Sequence, residues 1–240
     1  ADWTRQTKAN NSVLVNGEGQ VMRSIEARGR IADFRHEKAL TYLCGDAAAA
    51  YGGRLKRFLR HVLFLRPGLF IVLDELEAPA PARFDWLLHA IDKMQMDEAA
   101  RTVTALRGGA SLEVRLECEA GLAFHLTDVF DTPYNEGNPP EYHEQVANQW
   151  HFKATTTRPA AEARIAAVMA VRGPGEELEI RWKEHPGWTG AALRTPAGSG
   201  EVWTQFVPGT PPPLGVGVGT RLFGRWQPLK GESEALRVRY

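Results

Sequence analysis

Three apolar runs dominate the chain between residues 41 and 90: 58–65 (FLRHVLFL), 69–76 (LFIVLDEL) and 84–90 (FDWLLHA). Each has the length of a strand. Arg66-Pro67-Gly68 divides the first two, and Glu77-Ala78-Pro79-Ala80-Pro81 divides the last two. Proline presets φ and glycine accepts positive φ, so both breaks carry turn chemistry. The three runs are therefore expected to form an antiparallel meander. Shorter extended pieces are expected before it at 12–16, 20–27, 30–34 and 39–44. After it, 102–106, 111–118, 122–129, 149–154, 163–171, 178–182, 191–194 and 201–207 continue the pattern, and 214–222, with Gly at alternate positions, reads as a final strand or a close-packed turn. Residues 111–117 (SLEVRLE) alternate strictly, which predicts one buried face and one wet face. Helix signal is confined to 46–51, stopped by Gly52-Gly53, and to one turn at 97–100. Many short strands separated by Gly and Pro predict an all-β fold, an antiparallel β-sandwich of two large sheets, with residues 1–240 as one domain. Residues 131–147 (DTPYNEGNPPEYHEQVA) break the pattern with a polar, Pro- and Gly-rich stretch of the length that functional loops have.

A chain of 240 residues can bury a sizeable core. Its 29 basic residues balance its 29 acidic ones, so nothing argues for nucleic acid or an anionic membrane surface as a partner. A local cluster can still bind a polyanion. No apolar run approaches the ~20 residues that span a bilayer. The chain opens on Ala1-Asp2-Trp3-Thr4, with no initiator Met, signal peptide or transit segment, and is read as part of a longer polypeptide. Cys44 and Cys118 make neither a disulfide framework nor a Cys-x-x-Cys pair, and Cys44 is expected to be a buried free thiol.

Several polar residues sit at strand ends in a particular order. They are the run 11–20 (NSVLVNGEGQ), Gly45-Asp46-Ala47 leading to Tyr51, Arg60, Asp74 after Ile71-Val72-Leu73, Trp86-Leu87-Leu88-His89, and Gln149-Trp150-His151. In this order and spacing, residues 3 to 155 resemble the heparinase II/III-like polysaccharide lyases, including oligoalginate lyases. The resemblance implies the C-terminal β-sandwich of a two-part enzyme, with an N-terminal α/α-toroid that this sequence does not include. It implies cleavage of uronic-acid-containing glycans, an acidic polysaccharide or oligosaccharide of glycosaminoglycan or alginate type, by β-elimination. A Tyr or His takes the C5 proton while Asn and His neutralise the adjacent carboxylate, and the toroid supplies most of these groups. A periplasmic or secreted location goes with such a substrate. The family also carries a zinc site built from a His-x-His-Ala-Asp motif, an Asp, and a His directly before the Asn of the first run. Here Asn10 stands at that His position and no His-x-His occurs. Asn is a poor zinc ligand beside imidazole, so this chain is expected to hold no metal itself, with Asp46 the remaining candidate ligand and zinc a feature of the complete family fold.

The residues this reading singles out are Asn10, Asn11, Tyr51, His89, Trp150 and His151 as substrate contacts, with His89 the candidate for chemistry. Each has a plainer reading. Asp46 can cap the turn over 47–51; Tyr51 can pack under a loop; His89 can be an ordinary strand-end residue. Trp150 and His151, adjacent in a strand, should face opposite sides. Lys56, Arg57 and Arg60 are either a solvated face or a uronate-facing patch, and Trp182, His185 and Trp188 either stack on sugars or cap a sheet edge. A self-contained metal hydrolase using Asp46, His89 and His36 or His151 matches no short metal motif, and no Gly-x-Ser-x-Gly elbow is present. The competing expectation is a non-catalytic carbohydrate-binding or structural β-sandwich.

Overall fold

The structure, a computed structural model, describes residues 5–36, 38, 40–129, 149–195, 198–207 and 214–217. The stretch 131–147 lies outside the described residues. In chain order the strands are β1 (Val13–Val15), β2 (Arg30–His36), β3 (Leu40–Asp46), β4 (Arg57–Leu65), β5 (Leu69–Ala82), β6 (Phe84–Ala90), β7 (Gln95–Asp97) and β8 (Thr102–Arg107). They continue with β9 (Ala110–Glu117), β10 (Leu122–Thr127), β11 (Trp150–Thr156), β12 (Ala160–Arg172), β13 (Glu179–His185), β14 (Trp188–Thr195), β15 (Gly198–Gln205) and β16 (Leu214–Gly217). The helical pieces among the described residues are two 3-10 turns, Thr7–Ala9 and Ala48–Tyr51.

The expected all-β antiparallel sandwich is present, with a third sheet added. A central sheet runs β2-β3-β4-β5-β12-β9-β8-β7, one four-stranded sheet runs β1-β6-β11-β10, and the other runs β13-β14-β15-β16. Alternation along the central strands sends side chains into two separate cores. Phe58, Leu76, Val114, Ile165 and Ala167 meet Val13, Phe84, Trp86 and Phe152 of the β1-β6-β11-β10 sheet. Leu63, Ile71, Leu73, Ala166 and Val168 meet Ala191, Leu193 and Val202 of the β13–β16 sheet.

The meander expected over residues 58–90 holds for its first hairpin only. β4 and β5 pair from Arg57↔Glu77 to Leu65↔Leu69. Gly68 closes their turn where a Cβ would stand 2.2 Å from the Val171 carbonyl oxygen, so the backbones touch there. The Pro79-Ala80-Pro81 break is instead strand: β5 runs on to Ala82, through a bulge against β12. On the β4 side the ladder ends at Glu77, so the prolines, all exposed, remove donors that no strand there needs. β5 thus carries the chain over to the other sheet, where β6 pairs with β1 and β11 rather than with β5.

Two further expectations change. Residues 20–27 form turns rather than a strand, and Val21, Met22 and Ile25 stay exposed. Arg115 and Glu117, the wet face read from strict alternation, are 8% and 6% exposed. The β13–β16 sheet covers them, and Glu184 pairs with Arg115 and with Arg101 (3.1 Å), which in turn holds Glu117 (2.8 Å). Cys44 and Cys118 are buried free thiols, as expected of Cys44.

The second core also contains a histidine, His61, 1% exposed, sharing a 2.8 Å hydrogen bond with the Tyr42 hydroxyl. Desolvation, and then the Arg164 charge, push its pKa down to about 4. An unfolded histidine titrates near ~6.5, so this contribution to stability is complete above ~6.5 and is lost as pH falls towards ~4. Urea unfolding at pH 7 and pH 4.5 should show wild type losing about 2–3 kcal/mol more than His61→Gln over that interval. Equal losses would contradict the burial argument.

Candidate functional site

The segment before β1 folds over the margin where the central sheet meets the β1-β6-β11-β10 sheet, and Asn11 is its anchor. Arg60 Nη1 donates to the Asn11 carbonyl oxygen (2.6 Å). The His89 main-chain N–H donates to Asn11 Oδ1 (2.9 Å), and the same oxygen lies 3.0 Å from His89 Nδ1. His89 Nε2 lies 3.0 Å from the Lys8 carbonyl oxygen. The ring is therefore bracketed by two oxygens that only accept. A neutral imidazole has one N–H to offer and an imidazolium has two. Burial lowers the pKa of His89 while the Lys8 carbonyl opposes that shift. In either state both nitrogens face the protein's own oxygens, and no lone pair is turned to a ligand. Because Oδ1 is held by the His89 backbone, the Asn11 amide NH2 is left as the outward donor on an exposed residue.

Arg60 owes its place to register, since Gly45, Arg60 and Asp74 stand in one row across β3, β4 and β5. The guanidinium forks onto Asp74 with two bonds of 2.7 Å, and Asp74 is wholly buried. This bidentate pair is the strong form of a carboxylate contact.

Tyr51, expected as a sugar contact, is corrected by its position: it is 0% exposed and its hydroxyl donates to the Val13 carbonyl oxygen (2.6 Å). Burial raises its pKa, which keeps the phenol protonated. It supports the margin from inside. Asp46 takes the capping role, with Oδ1 accepting from Ala48 N–H (3.2 Å) and Oδ2 3.0 Å from Arg30. Asn10 is exposed and turns its amide to the Gln6 carbonyl oxygen (2.8 Å). Among the described residues no three His, Cys, Asp or Glu side chains gather as metal ligands. The Asp46, His89 and His36 or His151 set thus does not assemble among them, and His36 instead bonds Thr41 Oγ1 (2.9 Å).

Trp150 and His151 do point to opposite sides. Trp150 packs on the first core with Lys93 5.1 Å over its ring. His151 is paired with His89 across β6 and β11, and the two rings meet edge to face at 4.4 Å. The basic trio divides: Arg57 and Lys56 meet Glu77 while Arg60 belongs to Asp74 on the other face. Trp182 packs on the second core and donates to Glu113 (2.7 Å). A cavity of about 390 Å³ opens beside His89, walled by Ile91, Leu106, Arg107, Leu112 and Gln149.

Towards β2, one face of the central sheet is less completely covered, with Leu43, Val62, Phe64 and Phe70 half-buried. Phe34, Leu43 and Val62 stand in one row of β2, β3 and β4, with Phe64 stacked on Phe70 (4.2 Å) one row along. None of these five belongs to either core or packs against one. Phe34 is 59% exposed, and Ile31 beside it is 69% exposed. Sequence reading passed over this face because its alternation looks like that of any half-buried strand.

The family model described as heparinase II/III-like, C-terminal, matches residues 1–183, and the chain belongs to that family. Among solved structures, the Heparinase III-BT4657 gene product superposes with a TM-score of 0.57 at 11% identity, covering 85% of this chain and 31% of that one. Heparan sulfate lyase HepC from Pedobacter heparinus gives 0.56 at 15% identity, over 80% of this chain and 29% of that one. A structure described as Heparinase III gives 0.57 at 12%, over 85% and 31%. The chain thus spans a little under a third of each of these relatives. Comparison with curated proteins finds no match.

Two substitutions test the margin. Arg60→Met leaves Asp74 buried without its cation and should cost about 3–5 kcal/mol in urea unfolding. Asn11→Ala removes one acceptor and should cost about 1–2 kcal/mol. An Arg60→Met protein as stable as wild type would refute the anchoring role of the pair.

Proposed function

We propose that this chain is the β-sandwich wall of a lyase that cleaves uronic-acid-containing glycans by β-elimination, with the proton-abstracting groups on a helical toroid outside residues 1–240. The observation that carries this reading is the pairing of a polar margin, whose Tyr51, His89 and Arg60 are committed to the protein's own groups, with the partly exposed apolar face of β2–β4 next to it. In β-elimination the C5 proton leaves to a base, its electron pair forms the C4–C5 double bond, and the C4–O bond breaks with protonation of the leaving oxygen. The C5 proton becomes acidic enough only when fixed donors neutralise the adjacent carboxylate. Asn11 supplies such a donor. Among the described margin residues, Tyr51 is buried as a phenol, His89 is bracketed and Arg60 is held by Asp74, which supports a base supplied by another part of the polypeptide.

The toroid is the occupant we assign to the Ile31, Phe34, Leu43, Val62 face. Matching relatives are about three times as long as this chain, and an apolar face of this kind marks an interaction surface. Docking there would set the helical part beside Asn11 and His89, making the cleft between them. Zinc, if the complete polypeptide holds it, would need ligands from beyond the described residues. A periplasmic or secreted setting goes with a polymeric extracellular substrate. A free-standing glycan-binding module is the less supported reading, because Trp150 and Trp182 are turned to the cores rather than offered as a platform.

Unsaturated uronate, followed by its ultraviolet absorbance, should appear from uronate oligomers with the complete polypeptide and not with residues 1–240 alone; turnover by the 240-residue chain would overturn the division of labour. In the complete polypeptide Phe34→Asp should lower turnover about tenfold or more, ~1.4 kcal/mol. In the 240-residue chain the same exposed change should shift stability by no more than ~0.5 kcal/mol.

A further inference from the structure

The outer face of the β1-β6-β11-β10 sheet carries cationic and imidazole side chains in neighbouring rows. Phe124, Leu126, Phe152 and Ala154 turn inward, so His125, Lys153 and His151 turn outward. Lys153 stands directly opposite His125 across β10 and β11, and His151 stands opposite His89 across β11 and β6. His125 is exposed and Lys153 half-buried. Among the described residues no carboxylate pairs with Lys153 or His125. Asp85, on the same face, is occupied by the Thr155 hydroxyl (2.6 Å) and is 7% exposed. Glu98 turns to the edge of β10, accepting from Phe124 N–H (3.0 Å). A lysine and a histidine directly opposed, with no acid between them, work against the sheet whenever the imidazole is protonated. Local violations of this kind are expected where a site has been kept for a ligand.

We propose that Lys153 and His125 form an anion-binding strip that extends the Asn11–His89 margin across β6, β11 and β10 and holds a carboxylate of an acidic oligosaccharide. Adjacent strands lie ~4.8 Å apart, so the strip spans about 10 Å from β6 to β10, enough for two successive sugar units. It is a charge-recognition element rather than part of the bond-breaking apparatus, and it rests on the reading that this family member handles an acidic glycan.

The test is calorimetric titration of the 240-residue chain with a uronate tetrasaccharide and with its carboxyl-reduced neutral counterpart, for wild type and for Lys153→Gln with His125→Gln. Both positions are solvent-facing, so the double variant should keep wild-type stability, checked by urea unfolding. The strip predicts that wild type binds the acidic oligomer, that the double variant binds it at least tenfold more weakly (~1.4 kcal/mol), and that the neutral oligomer binds neither well. Equal binding by wild type and variant would overturn the strip. So would absence of binding to wild type. In both cases uronate release by the complete polypeptide would still stand as a separate measurement, so failure of the strip is distinguishable from failure of the lyase reading. Equal affinity for the neutral oligomer would overturn the recognition of charge.

Discussion

A central sheet of eight strands cannot be fully covered by two sheets of four, and much of this structure follows from that mismatch. Strands buried on both faces contribute twice to burial, and β5 and β12 are in that position: Leu76, Ile165 and Ala167 face one core, Leu73, Ala166 and Val168 the other. Moving outward to β4, β3 and β2, the first covering sheet runs out. Val72 still packs against the first core, while Val62, Leu43 and Phe34 in the same row do not. The N-terminal segment is laid over this boundary, held by Arg60 and His89, which is why the polar margin lies between a finished core and an unfinished face.

The same boundary explains the chemistry the margin offers. Asp74 is buried where the covering sheet ends, and it is stable there only because Arg60 meets both its oxygens. Arg60 then has a further N–H for the Asn11 carbonyl oxygen, and Asn11 in turn occupies His89. Each group in this chain of contacts is committed to the next, leaving an exposed amide donor but no free base. Among the described residues the margin thus presents one exposed amide as a hydrogen-bond donor.

Much of the fold was legible because a period of two residues survives in strands such as β3, β4 and β11. Fold class, most strand positions, the capping role of Asp46 and the opposite orientations of Trp150 and His151 followed from local pattern. What did not follow was non-local. The departure of β6 to another sheet depends on a long strand passing through Pro79 and Pro81, and a proline pair reads locally as a turn. The burial of Arg115 and Glu117 depends on Glu184, dozens of residues further along the chain. Tyr51 looked available because residues 47–51 read as a surface turn, yet its ring packs edge to face on Phe58 under Val13 (5.5 Å). Lys153 and His125 escaped notice because neither forms a motif, and only strand register brings them together.

The proposal turns on the apolar face of β2–β4 being an interface in the complete polypeptide. Hydrogen–deuterium exchange of the β2 amides, compared between residues 1–240 and the complete polypeptide, reads this directly. An edge strand with an unpaired side and an uncovered face opens readily. Exchange in Arg30–His36 should be fast in the 240-residue chain and slowed at least tenfold (~1.4 kcal/mol of protection) in the complete polypeptide. Identical exchange in both would contradict the account, because the face would then be equally exposed in the complete polypeptide and the proposed interface would not form.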